Sequence, residues 1–323
     1  KDPNEKKMTK PEITPIVSNR DVASPFLTSI QENAVKPIEP VFLDFKKDMS
    51  QLTAKSDIPV LYKQNTTNDL FQLIYVFDMG NNNDKALGTA FDYLEYLGTS
   101  DMTPEELKSE FYRLACTFYV SPGNERTYVV LSGLNENMPA AMQLFEKLLA
   151  DAQVNKEAYN NLVGDILKAR ADAKLNQGQN FSRLMNYAMY GPKSPATNLL
   201  TEAELASMNP QKLVDRIHNQ NNYKHRILYY GPSSSKDLLA TIDQYHQVPA
   251  TLKDIPAGNE FSYLETPATK VLVAPYEAKQ IYMAQISNLD KKYDPAIEPT
   301  RELYNEYFGG GMNSIVFQEM RET

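Results

Sequence analysis

Residues 84–98 read DKALGTAFDYLEYLG, and they decide the fold that the sequence predicts. Leu87, Phe91 and Leu94 recur at i, i+4 and i+7, which is the spacing of an apolar stripe on an amphipathic α-helix. Two strand-like stretches precede them, PVLY and then, from residue 69, DLFQLIYVF with alternating apolar positions. We therefore predict an antiparallel-rich sheet covered by helices, which is an α+β fold.

Further strands and helices extend this pattern. CTFYV and TYVVLSGL read as two more strands, and HRILYYG at 225–231 as another. Between them the sequence is mainly helical, with a long helix predicted over 156–174 and capping boxes that begin at Thr103 and Thr201. Helices over 236–245 and in EPTRELYNEYFGG complete the prediction.

The opening pattern recurs 211 residues later. Strand-like TKVLVAP (269–275) and QIYMAQIS (280–287) lead into YNEYFG, just as the first strands lead into YLEYLG. Similar strand–strand–helix units can arise by chance, but the shared order and spacing favour a duplication into tandem domains. Seven residues are identical under this shift: Val60, Leu61, Thr89, Tyr93, Glu95, Tyr96 and Gly98.

The repeat and the proline-rich stretches suggest four regions. We predict an arm or linker over 1–40, a first domain over 41–250 and a second linker over 251–268. Residues 269–323 would begin a second, incomplete copy of the domain. At 323 residues the chain has the length of two ordinary domains.

Composition excludes two classes of partner. Acidic residues outnumber basic ones by 41 to 33 and no Lys/Arg cluster occurs, so the sequence does not predict nucleic-acid binding. The longest apolar run is far shorter than a bilayer span, so we predict no membrane crossing. The chain starts with KDPNEKKMTK, without an initiator Met or an apolar signal segment, which suggests a mature or excised segment.

The residues by themselves suggest no catalytic constellation. Gly309, Gly310 and Gly311 lack the following Lys and follow a helix, so a helix C-cap at Gly309 with a flexible turn is favoured over a phosphate site. His218, His225 and His246 lie seven and 21 residues apart, and none has a His partner at i+4. We predict solvated or capping roles for all three histidines.

The stretches ALGTAFDYLEYLGTSDMTPEEL and YFGGGMNSIVFQEMRE resemble the pitrilysin/insulinase family of zinc metallopeptidases, the inverzincins with an H-x-x-E-H motif. The resemblance covers residues 41–323. It implies tandem α+β domains that enclose a peptide in two lobes, with zinc held in the first domain. Matching Leu-Gly-Thr at 97–99 places Thr89, Asp92 and Tyr93 at the positions of the His, the Glu and the second His.

This substitution removes the metal chemistry that the resemblance implies. Thr89 and Tyr93 would have to release or share hydroxyl protons to replace two imidazoles, and Asp92 is a shortened general base. The family's third ligand, a Glu, would fall near Gly164 and Asp165, where no Glu stands. We therefore expect no metal in this chain, and zinc in a catalytic half carried elsewhere in the parent protein.

The resemblance assigns such a metal-free half a task. Phe317 to Arg321 fits an F-x-x-x-R pattern after a glycine-rich segment, which implies that Arg321, with Gly309, Gly310 and Gly311, contacts peptide substrate. Spacing alone also allows a surface arginine on an amphipathic helix. We expect the non-catalytic half of a periplasmic or cell-envelope bacterial peptidase, whose partners are the catalytic half and a peptide. A structural subunit and a peptide-binding module without a protease remain the alternatives.

Overall fold

The computed structural model describes residues 23–288 and 293–322. The chain divides into two compact units, Lys1–Asp44 and Phe45–Thr323. In the first unit, helix α1 (Pro25–Gln31) lies within the segment predicted to be an arm. Ser24 caps it, with its Oγ accepting a hydrogen bond from the Leu27 N–H at 3.2 Å, and Pro25 starts the first turn.

The second unit contains one sheet and a set of helices. Its strands are β1 (Ser50–Ala54), β2 (Ile58–Gln64), β3 (Leu70–Phe77), β4 (Cys116–Pro122), β5 (Thr127–Leu134) and β6 (Arg226–Gly231). Its helices are α2 (Phe45–Asp48), α3 (Leu87–Leu94), α4 (Pro104–Arg113), α5 (Met138–Asp151), α6 (Lys156–Lys174), α7 (Gln177–Tyr190), α8 (Glu202–Ser207), α9 (Gln211–Asn219), α10 (Ser235–Tyr245), α11 (Glu298–Asn305) and α12 (Ile315–Phe317).

The six strands lie in the order β1-β2-β6-β3-β5-β4. All neighbouring pairs are antiparallel except β2 and β6, which run parallel with Val60 opposite Ile227. The last strand in sequence is therefore inserted at the centre, between β2 and β3. The α+β fold predicted from the sequence is confirmed.

Helices cover one face of this sheet. The alternate residues of β3 that point to them, Phe71, Leu73, Tyr75 and Phe77, are buried in the main core. Helices α3, α4, α5 and α10 pack against the strands, and α9 packs on α3 and α5. The predicted stripe of α3, formed by Leu87, Phe91 and Leu94, lies in this core as expected.

The opposite face of the sheet carries a second, thinner apolar layer. Its central residues, Val76 on β3 and Val130 on β5, are buried but lie outside the main core cluster. Tyr119, Tyr128 and Tyr230 surround them and are partly exposed. This face of the sheet is therefore less completely covered than the face under the helices.

The connection from α4 to β4 brings two unusual backbone conformations together. Ala115 ends α4 at φ 49°, a left-handed conformation that glycine adopts more easily. Gly133 lies opposite at φ 153°, and a Cβ atom on it would stand 2.4 Å from the Ala115 carbonyl oxygen. The glycine at 133 therefore allows the two chain segments to approach.

The two strands predicted at 269–275 and 280–287 are not formed, because the structure shows neither helix nor strand over 254–288. Val271 and Ile281 are instead 81% and 88% exposed. Two isolated strands without a third strand or a covering helix are marginal in water. By contrast, α11 has the bounds of α3 shifted by 211 residues, and the predicted repeat of the whole domain stays a prediction.

Across 23–288 and 293–322, none of the helices combines the length and apolar character that a bilayer crossing requires.

Candidate functional site

Helix α3 carries the positions that correspond to the zinc motif. The loop before it is fixed by Asn81, whose Oδ1 accepts a hydrogen bond from the Gly88 N–H at 2.9 Å, and by Asp84, whose carboxylate is 2.6 Å from the Arg216 guanidinium. The helix packs against α6, α9 and β4. Its orientation is therefore fixed on several sides.

Tyr93 occupies the position of the second motif histidine, and it is fully buried. Its hydroxyl donates to the Asn155 carbonyl oxygen at 2.6 Å and accepts from the Asn155 N–H at 2.8 Å. Its ring meets Tyr159 edge-on at 5.8 Å between centroids. Burial raises the pKa of the Tyr93 hydroxyl, so this group stays protonated. Both of its hydrogen bonds are made to the protein backbone.

The other motif positions do not converge on a metal. Thr89 is half-buried, and Asp92 is exposed on the outer side of α3. Desolvation by its surroundings, and secondarily the Glu95 carboxylate, raise the pKa of Asp92. Gly164 and Asp165 lie on exposed turns of α6.

No group of three His, Cys, Asp or Glu side chains in the part of the chain that the structure describes is arranged to hold a metal ion. Zinc requires deprotonated or neutral donors that point to one centre. Because the Tyr93 hydroxyl is already used by Asn155 and Asp92 faces outward, these residues do not fit a zinc ion.

The glycine segment differs from its prediction. Gly309 and Gly310 lie inside a wide helical turn, Glu306–Gly310, that continues α11, and the chain becomes extended only at Gly311 with φ −146°. The C-cap predicted at Gly309 is therefore wrong, because the helix continues past it without a left-handed residue.

The backbone of Arg321 lies in the helical turn Gln318–Glu322, but its side chain lies outside the described residues, so its predicted contact stays a prediction.

The structure places a polar network in the core that sequence reasoning missed. Tyr75, Glu146, His225 and His246 are 3%, 1%, 7% and 0% exposed, and we call these four residues the histidine–glutamate network. The Tyr75 hydroxyl donates to Glu146 Oε1 at 2.9 Å, and His246 Nδ1 is 2.6 Å from the same oxygen. His246 Nε2 is in turn 2.9 Å from His225 Nε2.

Backbone and amide groups close both ends of this network. His225 Nδ1 is 2.7 Å from the Tyr223 carbonyl oxygen. Glu146 Oε2 accepts from Asn221 Nδ2 at 2.9 Å and from the Gln247 N–H at 3.0 Å. The carboxylate is thus satisfied on both oxygens, as a buried charge requires.

Burial, and then the nearby His246, lower the pKa of His225 from 6.5 to about 4. The solvated role predicted for His225 and His246 is therefore wrong, because distant parts of the chain bring these residues together inside the core. His246 does lie at the C-cap position of α10 (Ser235–Tyr245). One signal was present in the sequence. Glu146 interrupts the buried stripe of α5 between Met142 and Leu149, and a charge at such a position requires a buried partner.

A free sheet edge is the second feature of functional interest. β4 is the last strand of the sheet, and it pairs only with β5 among the residues that the structure describes. A groove of about 840 Å³ lies at the end of the β4–β5 hairpin, lined by residues that include Tyr128, Tyr190 and Phe261. Exposed strand edges and adjoining grooves are common sites for extended peptides.

No protein-family model matches the sequence, and no curated protein shows significant similarity to it. Solved structures do resemble it.

The periplasmic protease PqqL from Escherichia coli superposes with a TM-score of 0.60 at 14% identity, over 77% of this chain and 31% of PqqL. The peptidase M16 inactive domain from Pseudomonas fluorescens gives 0.60 at 17% identity, over 85% of this chain and 68% of that one. A protease from Helicobacter pylori gives 0.59 at 10% identity, over 84% and 68%.

The chain thus spans about a third of the length of PqqL. Identities of 17% and below carry information on the fold alone. With a mixed sheet covered by helices on one face, the described part of the chain has the α+β, pitrilysin-like fold of M16-type peptidase domains.

Proposed function

We propose that this chain is the non-catalytic half of a pitrilysin/insulinase-type zinc metalloendopeptidase. It forms part of the wall around a peptide that is cleaved at a zinc site carried by the other half. The observation that carries this proposal is the use of the Tyr93 hydroxyl. Tyr93 stands at the second histidine position of the motif, and its hydroxyl makes hydrogen bonds to both backbone groups of Asn155. The surrounding fold is shared with a peptidase M16 inactive domain.

The free edge of β4 supports a role in peptide binding. The Gly123 N–H donates to the Arg126 carbonyl oxygen, and the Leu134 N–H donates to the Ala115 carbonyl oxygen. Hydrogen-bonded pairs alternate along an antiparallel ladder, so the odd-numbered residues of β4 face β5. The backbone groups of Phe118 and Val120 then point outward, where an extended peptide can pair with them.

The remaining contacts follow from the resemblance. Arg321, with its guanidinium, would stabilise negative charge on the scissile carbonyl beside the zinc of the other half. Gly309, Gly310 and Gly311 would let the backbone pass close to the peptide. PqqL is a periplasmic protease, which supports a periplasmic or cell-envelope location for this chain as well.

Peptide binding tests the proposal directly. We expect purified chain to contain far less than one zinc ion per molecule by elemental analysis, and to leave internally quenched peptides uncut. It should nevertheless bind fluorescein-labelled extended peptides, measured by anisotropy. Val120→Pro removes an outward N–H and should weaken binding about tenfold or more.

Val120→Ala is the matched control, because it trims the same side chain but keeps the N–H, and it should bind like the parent protein. Equal affinity of the two variants would exclude the β4 edge as the peptide site. One tightly bound zinc together with cleavage would overturn the proposed function. Failure to bind any peptide would favour the structural-subunit alternative.

A further inference from the structure

We propose that the histidine–glutamate network is a proton-operated latch, which holds segment 247–253 against the sheet and releases it when one more proton is bound. This segment carries the chain away from α10 and out of the sheet-forming part of the second unit. The proposal is independent of the peptidase function.

Counting the hydrogen that each hydrogen bond needs gives the number of protons in the network. The Tyr223 carbonyl oxygen can only accept, so His225 Nδ1 must carry a hydrogen. The contact between the two Nε2 atoms of His225 and His246 needs one hydrogen, and so does the contact between His246 Nδ1 and Glu146 Oε1. These three contacts therefore hold three protons. With three protons, the two imidazoles and the carboxyl group together carry no net charge.

A fourth proton has no place to bind in the closed network. Glu146 Oε2 already receives the Asn221 amide and the Gln247 N–H, and Oε1 receives the Tyr75 hydroxyl. Placed on a histidine Nε2, the proton would put two hydrogens face to face between nitrogens 2.9 Å apart. It would also place a net positive charge among buried groups. The network must open to take it up.

The opening would release a defined part of the chain. His246 ends α10, and the next residue, Gln247, donates its N–H directly to Glu146. Six residues further on, the Lys253 N–H donates to the Asn222 carbonyl oxygen, and its own carbonyl oxygen accepts from the Lys224 N–H. Between them, the Ser56 hydroxyl donates to the Pro249 carbonyl oxygen at 2.7 Å. Segment 247–253 is thus held by hydrogen bonds at three points, and the first is the latch.

Other titratable groups near the latch are few. β3 supplies Tyr75 and α5 supplies Glu146, while α9 supplies His218, which lines a cavity of about 270 Å³ together with Glu146 and Gln247. Lys224 pairs with Asp254 at 2.5 Å on the exposed side of the anchor at Lys253. The cavity borders the network at Glu146.

The direction of the pH effect follows from the lowered pKa of His225. The group binds a proton with a pKa near 6.5 when exposed and near 4 in the closed network. The open state therefore holds more protons than the closed one between these values, so opening becomes more favourable as pH falls through this window. The proton held between His246 and Glu146 is partly released on opening at pH 7, which reduces the effect. With both terms, the opening equilibrium constant should rise about sevenfold from pH 7 to pH 5.

Hydrogen exchange of the full chain, analysed by mass spectrometry and corrected for the intrinsic pH dependence, tests this. We expect the opening constant of 247–253 to rise about sevenfold from pH 7 to pH 5, while α4 (Pro104–Arg113), which contains no histidine, changes less than twofold. In His225→Gln the amide can still bond both neighbours but does not titrate, so the rise should disappear. His218→Gln is the control, and it should keep the rise.

A second measurement makes the test independent of the stability of the variants. Nitrogen-15 NMR of the imidazoles in the unmodified protein should show His225 neutral, with its proton on Nδ1, down to pH 5. A His225 that becomes protonated above pH 5.5 while 247–253 stays protected would overturn the latch. So would an equal rise in opening for 247–253 and α4.

Discussion

The Tyr93 hydroxyl links α3 to the start of α6, because it makes hydrogen bonds with both the carbonyl oxygen and the N–H of Asn155. We expect Tyr93→Phe to lower the free energy of unfolding by about 1–3 kcal/mol, because it leaves the Asn155 N–H without its hydrogen-bond partner, whereas the Asn155 carbonyl oxygen still accepts from the Tyr159 N–H. Urea denaturation followed by circular dichroism measures this change.

Tyr112→Phe is the matched control for that measurement. Tyr112 is 88% exposed, so loss of its hydroxyl should change the free energy of unfolding by less than about 0.5 kcal/mol. If the two variants were equally stable, the Tyr93 hydroxyl would contribute nothing to the junction of α3 and α6.

The left-handed conformation of Ala115 leads to a second prediction. Ala115→Gly should stabilise the protein by about 0.5–1 kcal/mol, because glycine adopts φ 49° without the steric cost of a Cβ atom. Gly133→Ala should have the opposite sign, since its new Cβ would collide with the Ala115 carbonyl oxygen. Differential scanning calorimetry of both variants checks the two signs, and a destabilising Ala115→Gly would contradict the argument.

Helix starts are the elements that the sequence specified most clearly. Thr103 and Glu106 form the predicted capping box, with the Glu106 N–H donating to Thr103 Oγ1 at 3.2 Å and the Thr103 N–H donating to Glu106 Oε2 at 2.8 Å. Thr103→Ala should cost about 1 kcal/mol of unfolding free energy. Ser109→Ala, further along the same helix, should cost less than about 0.5 kcal/mol in the same urea titration. Equal effects would mean that the box does not stabilise α4.

Local signals explain which elements could be predicted. The bounds of α6 at Lys156–Lys174 agree with the prediction, because its apolar stripe and Asn155 cap lie within one short stretch of sequence. β1 was missed, because Ser50–Ala54 is short and half-exposed at the sheet edge. The strands expected at 269–275 and 280–287 have the alternating apolar residues of a strand. A stable strand also needs neighbouring strands to pair with, and the alternating pattern does not provide them.

The candidate site was predictable only where one helix carries it. Thr89, Asp92 and Tyr93 lie on α3 at the predicted spacing, and the mismatch of their side chains with a zinc site is visible in their chemistry. The contact of Glu146 with His246 joins residues 100 positions apart. Pairing at that separation depends on the topology that inserts β6 at the centre of the sheet, which no local pattern specifies.

Many apolar side chains of 269–288 and 293–320 are exposed to solvent. Val271, Ile281 and Met283 are 81%, 88% and 85% exposed, and the described contacts of this stretch with α6 and α7 are themselves exposed. We expect deletion of 269–323 to change the unfolding free energy of the sheet by less than about 1 kcal/mol and to reduce binding of the dye ANS.

Deletion of 232–323 is the contrasting variant, because it also removes α10 and His246 from the core. It should prevent cooperative unfolding altogether. A deletion of 269–323 that unfolds the protein would show that this stretch packs on the sheet more firmly than its exposure indicates.

The order of residues along β4 also limits how far the sheet could grow. Phe118 and Val120 each offer an outward N–H, but the next outward residue is Pro122, which has none, and the strand ends there. A guest chain could therefore form only a short ladder before its pairing stops. Growth of a fibril from a sheet edge needs an uninterrupted row of backbone N–H donors. The edge of β4 lacks such a row, so it can stay uncovered at high protein concentration with little risk of fibril formation.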